Sequence, residues 1–119
     1  MPRDTVGFPE VEFASPRVSP PVNNDPVLDV LVAGRARIEA GWCKRALHQM
    51  TKNGPQFCAL GAVVIDVADQ IVGARAAGYL HNALPDGLAF LPDFNNAPTT
   101  KRRDVLALFD RAIAARRSA

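Results

Sequence analysis

Residues 57–72 read Phe57-Cys58-Ala59-Leu60-Gly61-Ala62-Val63-Val64-Ile65-Asp66-Val67-Ala68-Asp69-Gln70-Ile71-Val72. Whether this stretch is helix or strand decides the fold class. Cys58, Gly61, Ala62, Ile65, Ala68 and Val72 recur at steps of three and four and fall on one helical face. A half-buried strand would instead alternate apolar and polar residues, and no such alternation stands out after residue 25. The reading is therefore a long helix from about residue 57 to 72. Small residues near its start let another backbone approach closely, and Gly73 breaks or kinks it.

The same logic extends outward on both sides. Downstream, Ala74, Ala77, Leu80 and Leu84 mark a third helix, stopped by Pro85-Asp86-Gly87. Residues 88–98 form a loop anchored by Leu88, Phe90, Leu91 and Phe94. A last helix follows Pro98, with Thr99 or Thr100 as cap and a stripe of Val105, Leu108, Phe109, Ala112 and Ile113. Upstream, Asp25 is a good helix cap and Pro26 suits the first helical position, where no N–H is needed. Val27, Val30, Leu31, Gly34 and Ile38 continue at helical spacing, and Gly41 is expected to close the helix in a left-handed conformation. A short helical piece is expected over 43–50, then a turn at Asn53-Gly54-Pro55. The sum is an all-α domain over residues 25–119, a small bundle of four to five helices.

Residues 1–24 differ in kind. Pro2, Pro9, Pro16, Pro20 and Pro21 fall there, and proline removes backbone donors and disfavours helix before it. We read an extended, proline-rich N-terminal arm whose apolar anchors are Val6, Phe8, Val11 and Phe13.

Composition narrows the function classes. A chain of 119 residues, 48% hydrophobic and 22% charged, suits one soluble domain. A net charge of +2 is too mild to imply a nucleic-acid partner by itself. No apolar run approaches the length of a membrane span, and no apolar stretch follows Met1-Pro2-Arg3-Asp4 as a secretory signal would. Two cysteines are too few for a disulfide framework, so a reduced cytoplasmic setting is expected, with a Cys43–Cys58 bridge left open.

Three short clusters carry whatever chemistry the chain has: Gly41-Trp42, Phe57-Cys58-Ala59-Leu60-Gly61-Ala62 and Asp93-Phe94-Asn95-Asn96. Each sits where a helix is expected to begin or end, and helix ends carry unpaired backbone groups. A thiol at a helix start feels the positive end of the dipole, which would activate Cys58. His81 as base and Asn95 as its orienting group would complete a thiol-hydrolase constellation, with Gln56 near the oxyanion. The competing reading is burial, because Cys58 lies on the apolar face of its helix. Trp42 is either a core anchor or the wall of a pocket. Asn95 and Asn96 either cap loop backbone or present amides to a ligand. Cys43, His48, Cys58 and His81 match no zinc spacing, and Asp66 with Asp69 is too sparse for a hard cation, so no metal and no cofactor is expected. Lys101, Arg102, Arg103, Arg111, Arg116 and Arg117 make the last helix basic, but Asp104 and Asp110 interrupt it and no aromatic interleaves it.

The ordered set of clusters resembles a family of short uncharacterised bacterial and phage proteins, a domain of unknown function. The pieces that carry the resemblance are Gly41-Trp42, Cys58-Ala59-Leu60-Gly61-Ala62, Phe94-Asn95-Asn96, and Val105-Leu106 with Asp110-Arg111-Ala112. Asn96 stands where the pattern has an acid, and Cys43-Lys44 replaces a polar pair. The resemblance implies an all-helical, cytoplasmic protein and supplies no activity. The reading is a non-catalytic binding or accessory module for a protein or small-molecule partner, with Trp42, Cys58, Asp93, Asn95 and Asn96 as its site. A thiol hydrolase built on Cys58, His81 and Asn95 is the alternative, and a nucleic-acid regulator using the basic last helix the third reading.

Overall fold

The computed structural model describes residues 25–85 and 90–119. The arm expected over residues 1–24, and Leu88, lie outside them. The chain runs α1 (Pro26–Ala40), β1 (His48–Thr51), β2 (Gly54–Phe57), α2 (Gly61–Val64), α3 (Gln70–Asn82), α4 (Leu91–Asn96) and α5 (Arg102–Arg117). Five helices and a two-stranded antiparallel sheet make this a mixed α/β fold, which corrects the all-α expectation.

The first and last helices follow the sequence reading. The Asp25 carboxylate accepts the Leu28 N–H at 3.1 Å, and Val27, Leu31, Gly34 and Ile38 are buried. In α5 the whole stripe of Val105, Leu108, Phe109, Ala112 and Ile113 is buried. Its start is corrected by a residue or two: the cap position is Lys101, whose N–H bonds to the Asp104 carboxylate at 2.8 Å. The core lies where α1, α3 and α5 meet, around Leu31, Ile38, Leu80, Leu108 and Phe109.

The middle of the chain departs from the reading. Gly41 is extended, at φ −172°, and not left-handed. The short helix expected over 43–50 is absent: the segment bends, then enters β1. β1 and β2 form a hairpin in the register His48↔Phe57, Gln49↔Gln56, Met50↔Pro55 and Thr51↔Gly54. Lys52 and Asn53 make the turn, Gly54 follows it at φ 114°, and the Thr51 hydroxyl donates to the Gly54 carbonyl at 2.7 Å. The other side of β2 pairs in parallel with the chain after α1: Phe57 N–H bonds to the Gly41 carbonyl at 2.9 Å and Cys43 N–H to the Phe57 carbonyl at 3.1 Å.

The long helix expected over 57–72 is broken into three parts. Phe57 ends a strand, α2 is one turn, and the chain extends at Ile65 and turns left-handed at Asp66 (φ 55°) before α3. Three local causes act together. Val63, Val64 and Ile65 are β-branched and lose rotamer freedom in a helix. Arg37 reaches from α1 and donates to the carbonyls of Ala62 (3.2 Å) and Ile65 (2.7 Å), which a continuing helix would have used itself. Asp69 then caps a new helix, accepting from Ile71 and Val72 N–H. Gly73, expected to break a helix, lies buried inside α3. The loop expected over 88–98 contains α4, which buries Leu91, Phe94 and Asn95 and leaves Phe90 exposed.

Candidate functional site

Three stretches distant in sequence meet beside α4. The segment after α1 carries Trp42, Cys43, Lys44 and Arg45; the turn before α2 carries Cys58 and Ala59; α4 carries Asn95 and Asn96. Asn95 is fully buried and joins all three. Its Oδ1 accepts from the Trp42 indole N–H at 2.8 Å and from the Ala59 N–H at 3.0 Å. Its Nδ2 donates to the Cys43 carbonyl at 3.0 Å and to Asn96 Oδ1 at 3.1 Å. A primary amide has two acceptor positions and two N–H groups, so Asn95 is saturated.

Asn96 extends the frame. Its Oδ1 also accepts the Arg45 N–H at 2.8 Å, and that contact holds Arg45 in the left-handed region at φ 66°. Non-glycine residues rarely adopt that conformation, and where they do they often mark working sites. Lys44 lies over the Trp42 ring at 5.4 Å and donates to the Ala97 carbonyl at 2.8 Å. Trp42 itself is half-buried against the core.

Both cysteines are buried and free. Cys58 Sγ accepts the Gly61 N–H at 3.2 Å, which serves one orphan donor at the start of α2. Cys43 Sγ donates to the Ala46 carbonyl at 3.6 Å. Burial pushes the Cys43 thiol above its ordinary pKa, and the nearby Cys58 adds to the shift.

Beside this frame opens a cleft of about 250 Å³, edged by Arg45, Leu47, Cys58, Pro92 and Asn96. Of the residues singled out from sequence, the structure gathers Trp42, Cys58, Asn95 and Asn96. Asp93 is exposed in the first turn of α4 and does not line the cleft. His81 is exposed on α3, and no hydrogen bond joins its ring to Cys58 or Asn95 among the described residues. No three His, Cys, Asp or Glu side chains converge as a metal would require among the described residues. Arg45 and Arg37 were missed by the sequence reading. A charged residue on an expected helix face gives no hint that its backbone will turn left-handed or that it will tie off a neighbouring helix.

Residues 22–115 match a family of unknown function, DUF6197. The chain belongs to that family. Searches of curated proteins and of solved structures give no match. Membership in DUF6197 therefore brings no activity with it, and the chemistry must be argued from the cleft itself. No helix among the described residues is long and apolar enough to cross a membrane.

Proposed function

We propose that this protein is a small non-catalytic binding module whose ligand seat is the cleft between Arg45, Cys58 and Asn96. The saturated Asn95 amide carries the reading. A catalytic Asn must keep an atom free to orient its base, and every polar atom of Asn95 is spent on Trp42, Ala59, Cys43 and Asn96. Asn95 acts as a frame for the site, and the exposed His81 makes no hydrogen bond to it among the described residues.

The side-chain polar groups left at the cleft are donors. Asn96 Oδ1 is used twice, which leaves its Nδ2, and Arg45 contributes a guanidinium. Donors without acceptors select a ligand bearing acceptor oxygens, with a carboxylate favoured by the arginine charge. The volume suits one acidic side chain, a chain end or a small organic acid rather than a large cofactor.

The basic face of α5 supports this reading over a nucleic-acid one. Arg102 donates to the Glu39 carbonyl (2.9 Å), Arg111 to the Ala83 carbonyl (3.2 Å) and Arg116 to Asp25 (2.9 Å). Those cations hold the fold together. A cytoplasmic setting is part of the proposal, since free cysteines suit a reducing compartment.

The test is an NMR titration with acetate, glutamate and a short Glu-rich peptide. Saturable shifts are expected at the Asn96 side-chain amide and the Arg45 Nε–H, and Arg45→Ala should weaken binding about tenfold or more, the scale of one lost charged hydrogen bond. Shifts scattered over the surface, or unchanged in Arg45→Ala, would sink the proposal.

A further inference from the structure

The hydrogen bonds that build the site also bring its two cysteines onto neighbouring, paired stretches of backbone. Phe57 N–H bonds to the Gly41 carbonyl and Cys43 N–H to the Phe57 carbonyl, so Trp42 and Phe57 form a parallel pair. The next residues along the two chains are Cys43 and Cys58. Neighbouring strands lie about 4.8 Å apart, and disulfides span Cα separations of roughly 4.4–6.8 Å. A second constraint comes from Asn95: one amide holds the Cys43 carbonyl at 3.0 Å and the N–H of Ala59, the residue after Cys58, at 3.0 Å. Cys58 also weighs on the titration of Cys43, which places the two sulfurs within electrostatic reach.

We propose that Cys43 and Cys58 form a redox-active dithiol, oxidised to an intramolecular disulfide by a small hydroperoxide that enters through the cleft. The two cysteines have different roles. Cys58 lines the cleft and Cys43 does not. The Gly61 N–H donates to the Cys58 sulfur at 3.2 Å and holds it at the edge of the cleft, where a peroxide can reach it. Cys43 is disfavoured as a thiolate by its burial. Cys58 is therefore the attacking sulfur and Cys43 the resolving one.

The chemistry balances with the peroxide as sole oxidant. The Cys58 sulfur attacks one peroxide oxygen, the O–O bond breaks, and the Cys58 thiol proton goes to the leaving hydroxide, which departs as water. Cys58 is then a sulfenic acid. The Cys43 sulfur attacks Cys58 Sγ, the S–O bond breaks, the Cys43 proton goes to the departing hydroxide, and a second water leaves. Two thiols and one hydrogen peroxide give one disulfide and two waters. In forming the bond, Cys58 turns from the Gly61 N–H, so the floor of the cleft changes with the redox state. Transient disulfides of this kind are the sort that reducing compartments allow.

The experiment is mild oxidation of the folded chain with hydrogen peroxide, read by intact mass and peptide mapping. The native chain should lose two hydrogens, yield a linked peptide joining Cys43 and Cys58, and recover with dithiothreitol. Cys43→Ser should stop at the sulfenic acid, trapped on Cys58 by dimedone. In Cys58→Ser, where a hydroxyl can still accept the Gly61 N–H, Cys43 should stay reduced. Oxygen uptake at Cys58 in the native chain without a linked peptide would overturn the proposal. So would linkage found only between chains or only in denaturant.

Discussion

Asn95 shows how much one side chain can decide. It has no exposed surface, and it makes four hydrogen bonds to groups from three segments. Removing it would strand the Trp42 indole N–H, the Ala59 N–H and the Cys43 carbonyl. Each buried polar group left unpaired costs about 1–3 kcal/mol. The costs do not add fully, because relaxation and water recover part of them. Asn95→Ala should therefore lose about 3 kcal/mol in a urea melt, and Trp42 emission should move to longer wavelength in the native state. Asn95→Asp keeps both acceptor contacts but sets an oxygen against the Cys43 carbonyl, so it should also destabilise, and more so above the carboxylate pKa. A near-wild-type melt for both variants would show that Asn95 does not hold the site together. The sequence marked Asn95 and Trp42 as residues of interest. It did not show that they bond to each other, because a contact between positions 53 residues apart leaves no local pattern.

At the scale of elements, the hairpin and the broken helix depend on two glycines with opposite reasons. A Cβ on Gly61 would run into the Leu47 carbonyl, whose oxygen also accepts the Cys58 N–H at 3.0 Å. That backbone cannot move without opening the site. Gly61→Ala should cost about 3 kcal/mol, the upper range for overpacking. Gly54 has open space around it but sits at φ 114°, so Gly54→Ala should cost only about 1–2 kcal/mol, from backbone strain. Equal losses in chemical denaturation would contradict this account. These elements also explain why the all-α reading failed. Residues 48–51 are largely exposed, Met50 included, and only Phe57 of β2 is buried, so the strands show no apolar alternation. Asn53-Gly54 was the available signal, since that pair favours hairpin turns. It was read as a turn without its strands. The helical phase of residues 57–72 was misleading for a related reason. Cys58, Gly61 and Ala62 are buried and Ile65 and Val72 pack partly on the core, but Ala68 is exposed, and the backbone between them is held by Arg37 and Asp69, both outside the apolar pattern.

At the scale of the whole molecule, the described domain is tied at its ends. Arg116, near the end of α5, donates to both oxygens of Asp25 at 3.1 and 2.9 Å and to the Tyr79 hydroxyl of α3 at 3.1 Å. Asp25 also caps α1, so one carboxylate joins the start of the first helix to the end of the last. The Arg116 hydrogen bond holds the Asp25 carboxyl below its ordinary value of 3.8, with the Leu28 N–H adding to the effect against an opposing cost of burial. The folded state thus binds this proton less readily than the unfolded chain. The clasp's contribution to stability is full above pH 3.8 and is lost as pH falls through the lowered folded-state value. Asp25→Asn separates the clasp from the cap, because asparagine caps a helix about as well as aspartate but carries no charge. In thermal melts from neutral pH down to pH 2, the native chain should lose melting temperature at the acid end more steeply than Asp25→Asn. The two curves should converge where Asp25 is protonated. Parallel curves throughout would mean that the Asp25–Arg116 pair adds nothing beyond the cap, and that α1 and α5 are held together by their apolar faces and by contacts such as Arg35–Asp110.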